Sequence, residues 1–157
     1  MNTPQSHIQT LVSAFGKDAP IAYRLLNTHA KAMEVKKHPK NGTGTPQQCY
    51  ANAYALAQSE TAYRYCEGQA TTSNLDFPLD HAWVIDRDGK VIDPTWADGA
   101  QYFGVAFSPL FVIKVLAKTK HYGILGNLYR LRMTPDSVMA YLENGLQSIA
   151  PTTGVRA

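Results

Sequence analysis

The segment 81–94 constrains this chain more than any other. His81-Ala-Trp-Val-Ile-Asp-Arg87 is rich in aromatic and β-branched residues and reads as a strand. Asp88-Gly89 tolerates positive φ at both positions and marks a hairpin turn. Lys90-Val-Ile-Asp93 then returns antiparallel, and Pro94, with no amide proton to donate, ends the ladder. A hairpin needs further strands to bury a face. The aromatic alternation of 62–70 predicts one and the run 101–107 another, with 71–80 as a polar loop around Pro78.

The remaining segments carry helical signals. Ile8, Leu11, Val12 and Phe15 recur at helical spacing in 1–16, as do Ile21, Leu25, Leu26 and Met33 in 19–33, with Pro20 at a first helical position. A short helix is expected over 49–58. Ser108-Pro109 opens one over 109–119, and Thr134-Pro135-Asp136 opens another that stops near Gly145. The stretch 123–133 fits either a last strand, through Leu128, Arg130 and Arg132, or an irregular segment. The tail from Pro151 reads as frayed. The expectation is a single α+β domain over 1–157.

Composition narrows the function classes. Of 157 residues 45% are apolar and 17% charged, which is a globular balance. A net charge of +3 is too small to argue for nucleic acid. The longest apolar run, 110–117, contains Lys114 and is too short to cross a bilayer. The N-terminus lacks the pattern of a signal peptide, and two Cys do not make a disulfide framework. A soluble, cytoplasmic protein with free thiols is expected, with no membrane partner. The basic run 36–40 reads as a solvated loop, and the Gly/Thr-rich 41–45 lacks the Gly-Lys-Ser/Thr ending of a phosphate cradle.

Chemistry enters at Cys49, which follows that loop and opens a helix. Unpaired amides and the partial positive charge of a helix N-terminus favour a thiolate and can hold an oxyanion. His81 and Asp93 follow on the two arms of the hairpin and can share one end and one face of it. With Cys49 against that end, a base meets a nucleophile and a carboxylate orients the base. Asp76, Asp80 and Asp86 are rival orienters, Asp86 with the parity of the opposite face. Trp83 shares the parity of His81 and either walls the site or packs in the core; Trp96 either shields the three residues or covers the hairpin. Cys66 reads as a packed thiol. A zinc site from Cys49, Cys66 and His81 has no supporting spacing.

Residues 49–96 also resemble the transglutaminase-like branch of the papain-like cysteine enzymes. The resemblance rests on Cys49-Tyr-Ala-Asn-Ala-Tyr-Ala-Leu-Ala57 opening a helix, the strand Tyr63-Arg-Tyr-Cys-Glu-Gly-Gln-Ala70, His81-Ala-Trp83, and Val91-Ile-Asp-Pro-Thr-Trp96. It implies a papain-like core with N-terminal helices and the nucleophile's helix on an antiparallel sheet. It further implies Cys49 as nucleophile, His81 as base and Asp93 as orienter, with Gln47 or Gln48 as the upstream oxyanion donor. The expected function is thiol-dependent acyl transfer: a hydrolase of amide bonds (peptidase or deamidase) acting on a protein, a peptide or a small amide. No cofactor and no metal are expected. The alternatives are transfer to an amine acceptor, and a non-catalytic peptide-binding module on the same fold.

Overall fold

The three long strands are buried at successive positions over most of their length, so both faces of the sheet they form are covered. The computed structural model describes residues 2–149. Among these, six strands form one antiparallel sheet: β1 (Lys31–Met33), β2 (Arg64–Thr72), β3 (Leu79–Ile85), β4 (Val91–Ile92), β5 (Gly99–Phe107) and β6 (Leu146–Gln147). The order is β1-β5-β2-β3-β4, with β6 beside β1 on the far edge of β5.

The sheet curls until its two ends meet. Past β1 the chain runs alongside β4 in a parallel bridge between Val35 and Val91. The Val91 amide donates to the Glu34 carbonyl at 2.8 Å, and the Lys36 amide to the Val91 carbonyl at 3.1 Å. Side chains on the inner face, including Met33, Cys66, Trp83, Ile85 and Tyr102, fill the curl. The outer face presents Tyr65, Ala82, Val84, Val105 and Phe107 to the helices.

Those helices are α1 (Pro4–Phe15), α2 (Ile21–His29), α3 (Cys49–Ser59), α4 (Pro109–Thr119) and α5 (Pro135–Gly145). Their starts are locally encoded. Thr3 and Ser6 form a reciprocal capping box for α1, Ser108 accepts from the Phe111 amide, and Thr134 accepts from the Ser137 amide. Gly145 closes α5 against Phe111, where a Cβ would lie 2.4 Å from the ring. Among the described residues no helix is long and apolar enough to cross a membrane.

The inner face leaves little room where Gly68 of β2 opposes Gly104 of β5. A Cβ on Gly104 would lie 2.4 Å from the Glu67 carbonyl oxygen and 2.7 Å from Trp83 Cη2. The indole of Trp83 therefore occupies the space a side chain would need. Gly104→Ala is expected to cost about 1–3 kcal/mol in urea unfolding through overpacking. An unchanged midpoint would mean that the indole is not seated there.

Several expectations are corrected. The segment 19–33 is not one helix: α2 ends at His29, Ala30 is extended, and Lys31–Met33 pairs with Tyr102, Phe103 and Gly104. Met33 sits at helical spacing from Leu26 by coincidence, because both face a core, although a different one each. Pro20 caps α2 from outside its first turn. The 71–80 loop is shorter than expected, since Thr71 and Thr72 extend β2 while Leu79 and Asp80 begin β3. The hairpin loop is longer than two residues: Ile85 faces Val91, and Gly89 alone has positive φ, at 78°. The ambiguous 123–133 holds no strand but a 3-10 segment, Leu125–Leu131, bent at Asn127. The tail from Pro151 lies outside the described residues.

Candidate functional site

The hairpin register decides what His81 meets. Val84 faces Ile92, so the residue after β4 lies level with Trp83 and on its face, one pleat from His81. Asp93 is that residue. Its Oδ2 accepts from His81 Nε2 at 2.9 Å and from the Tyr102 hydroxyl at 2.6 Å. Its Oδ1 accepts from the amides of Thr95 and Trp96 at 2.9 and 3.0 Å. The carboxyl group is fully buried, and four donors converge on it, so it is held as an acceptor-only carboxylate. The same carboxylate, with burial as the larger cause, pushes the Tyr102 hydroxyl far above its ordinary range.

The carboxylate fixes the imidazole. A carboxylate only accepts, so the proton of the neutral ring sits on Nε2 and the lone pair on Nδ1. Nδ1 makes no hydrogen bond, and among the described residues no buried side-chain nitrogen or oxygen lacks a partner. Nδ1 therefore keeps its lone pair unengaged, within a side chain that is 2% exposed. Trp96 stacks on the ring at 3.7 Å with the planes 12° apart.

The loop before Cys49 clamps this pair from outside. Asn41 Oδ1 accepts from the Asp93 amide, the Gly42 amide donates to the Asp93 carbonyl, and the Gly44 amide donates to the Pro94 carbonyl. Gly42 has φ 73°, and a Cβ there would lie 2.7 Å from that of Ala97, so both the turn and the close approach require glycine. Asn52, on the first turns of α3, donates to Thr95 Oγ1 at 2.9 Å and to the Thr45 carbonyl at 2.8 Å. These bonds tie the start of the Cys49 helix to the segment that follows Asp93.

Cys49 is the first residue of α3 and is half-buried on the outer face, beside the backbone of Ala82, the neighbour of His81. No hydrogen bond joins its sulfur to the His81 ring among the described residues. The expected acidic thiol is corrected: burial pushes Cys49 up to about 11, hydrogen bonding from the Ala82 and Tyr50 backbones pulls it down less, and the Glu67 and Asp93 carboxylates add to the rise. The helix N-terminus is open, since no side chain caps α3. Gln47 and Gln48 are exposed and their side chains make no hydrogen bond among the described residues; Gln47 adopts φ 65°, which bends the chain into the helix.

The other candidates separate clearly. Asp86 caps its own turn, accepting from the amides of Asp88 and Lys90 and from Lys36 Nζ at 2.6 Å, well away from the imidazole's partner. Asp80 is exposed and accepts from Gln69, and Asp76 is exposed. Trp83 lies in the core behind His81, with Nε1 donating to Met33 Sδ at 3.3 Å and its ring edge-on to Tyr102. Cys66 is fully buried on the inner face, and burial raises its thiol far above the ordinary range. Among the described residues no three His, Cys, Asp or Glu side chains are grouped to hold a metal ion.

Four residues of the site escaped the sequence reading: Asn41, Asn52, Tyr102 and Glu67. Glu67 is 2% exposed and accepts from the Tyr65 hydroxyl and from the amides of Ile124 and Leu125 at 2.6 and 2.8 Å, which anchors the 3-10 segment to β2. Burial pushes its carboxyl up to about 7 against those three bonds. The only signal was an acid at an outer-face position of a strand. Comparison of the chain with protein-family models, with curated proteins and with solved structures finds no match.

Proposed function

We propose that the protein is a thiol-dependent acyl-transfer enzyme with a papain-like or transglutaminase-like core, most simply a hydrolase of amide bonds. The observation that carries this reading is the His81–Asp93 pair, buried beneath Trp96 with Nδ1 free of any hydrogen bond among the described residues, on the strand against which the Cys49 thiol packs. A general base needs a free lone pair and an orienting partner, and Asp93 on Nε2 with an unengaged Nδ1 supplies both.

The resting site holds a neutral thiol, because a thiol near 11 keeps its proton at neutral pH. Chemistry begins when Nδ1 takes that proton as the sulfur attacks a carbonyl carbon. Asp93 stabilises the resulting imidazolium through Nε2. The open amides of the α3 N-terminus receive the developing oxyanion. His81 then returns the proton to the leaving amine, and a thioester remains on Cys49. Water resolves it in a hydrolase, a primary amine in a transferase.

Iodoacetamide labelling checks the nucleophile. Labelling of Cys49 should rise steadily from pH 7 to 10 without a plateau, while Cys66 stays unlabelled in the folded protein. His81→Ala should slow Cys49 labelling at pH 7 by roughly 10²-fold, the lower end for a lost general base. Equal rates in the two proteins at pH 7 would remove the base. Incubation with glutamine peptides and a labelled amine, followed by mass, then separates deamidation, backbone cleavage and amine incorporation. The absence of a Cys49–His81 hydrogen bond favours a second reading, a peptide-binding module without turnover; no mass change on any substrate, together with unchanged labelling, would select it.

A further inference from the structure

The nucleophile assigned above stands beside a cavity that the mechanism does not use. It holds about 200 Å³ and lies between α2, the start of α3, β2 and the 3-10 segment. Tyr50, the residue after Cys49, forms one wall; Gly68, which faces His81 across the sheet, and Asp80, which precedes His81, form another. The cavity thus touches the chain neighbours of both the nucleophile and the base. Its volume is below the roughly 300 Å³ of a drug-sized ligand site and suits one side chain.

The polar side chains in its walls are Tyr23, Tyr50, Glu67 and Asp80, and no Lys, Arg or His is among its lining residues. Tyr23, Leu26 and Leu125 supply apolar walls for an alkyl stem. Three donors occupy Glu67, leaving one of the roughly four acceptor positions of a carboxylate open. Asp80 accepts from Gln69 and is exposed to solvent. A pocket lined by apolar residues, carboxylates and phenols, with no Lys, Arg or His, is complementary to an alkylammonium or guanidinium and repels an anion.

We propose that this cavity is a specificity pocket for a cationic group, the lysine or arginine side chain of the amide substrate or the aminoalkyl chain of an amine acceptor, seated beside the carbonyl that Cys49 attacks. The inference rests on the reading of Cys49 as nucleophile, but its charge preference is measurable without turnover. The test compares modification of Cys49 by 2-aminoethyl and 2-sulfonatoethyl methanethiosulfonate, each normalised to a small free thiol and read by mass at the peptide level. The cationic reagent should react on the order of tenfold faster or more, as expected for a single-sign cleft. Asp80→Asn and Glu67→Gln should each reduce that ratio; Asp80→Asn keeps the oxygen that Gln69 bonds, so it retains the fold.

A normalised ratio near one, or a ratio unchanged in both variants, overturns the pocket and leaves the nucleophile standing. Conversely, unchanged iodoacetamide labelling in His81→Ala removes the base and leaves the charge preference standing. Two arms locate the cation: a preference for lysine over norleucine peptides places it on the substrate, and cadaverine incorporation without that preference places it on the acceptor. A preference in neither arm overturns the pocket as a substrate site.

Discussion

Asp93→Ala should destabilise the protein by about 3 kcal/mol or more, because several buried donors lose their shared acceptor. The carboxylate serves four donors at once: His81 Nε2, the Tyr102 hydroxyl and the amides of Thr95 and Trp96. Truncation leaves all of them without a partner in a site that the side chain fills completely, and each such loss costs about 1–3 kcal/mol before relaxation. Urea unfolding monitored by tryptophan fluorescence reads the loss. Tyr102→Phe provides the comparison: it removes one donor and leaves the carboxylate three, so it should cost about 1 kcal/mol. A loss below 1 kcal/mol in Asp93→Ala would show that the carboxylate is not the hub of this network.

The second large effect is pH-dependent and belongs to Glu67. Its carboxyl is raised from its ordinary 4.5 to about 7, first by burial and against the bonds from Tyr65, Leu125 and Ile124. A group whose folded value lies above its unfolded one binds its proton more tightly in the native state. Its stabilisation is complete below pH 4.5 and is lost as pH rises through 7. The shift corresponds to about 3 kcal/mol. Glu67→Gln removes the titration, so relative to the wild type the variant should gain about 3 kcal/mol between pH 4.5 and pH 8. Chemical denaturation of both proteins at the two pH values measures the difference. Carboxylates held low by Lys partners, such as Asp86, change stability in the opposite sense and cancel in the comparison. A constant difference across the range would mean that Glu67 does not titrate in this window.

What the sequence shows of this molecule follows from where its signals are local. The caps Ser108 and Thr134 fix α4 and α5 because a hydroxyl, a proline and an amide three residues on suffice to define a helix start. Alternation and Pro94 place His81 and Asp93 on facing arms of a hairpin, and the 2.9 Å bond between them follows from the register. β1 stays hidden because three residues are too few for a period, and its pairing with Tyr102, Phe103 and Gly104 is settled by tertiary contact alone. Tyr102 reads as core in a strand of aromatic residues, since nothing nearby in sequence shows that its hydroxyl ends on a carboxylate from another strand. Asn41 and Asn52 read as loop and helix surface for the same reason. The thiol is the instructive error: a helix N-terminus favours the thiolate by a local dipole, but loss of solvent around a half-buried sulfur outweighs it, and burial is not written in the seven residues around Cys49.

The bridge between Val35 and Val91 joins the two ends of the sheet, and Asp93 is held immediately beyond it by Asn41 and Gly42. Ring closure of this kind depends on contacts between segments far apart along the chain, which form late and cooperatively. A chain in which the ring has not closed lacks the Asn41 and Gly42 clamp on Asp93, the residue that holds the His81 ring. On the proposed reading, the base is oriented only in the chain whose sheet has closed.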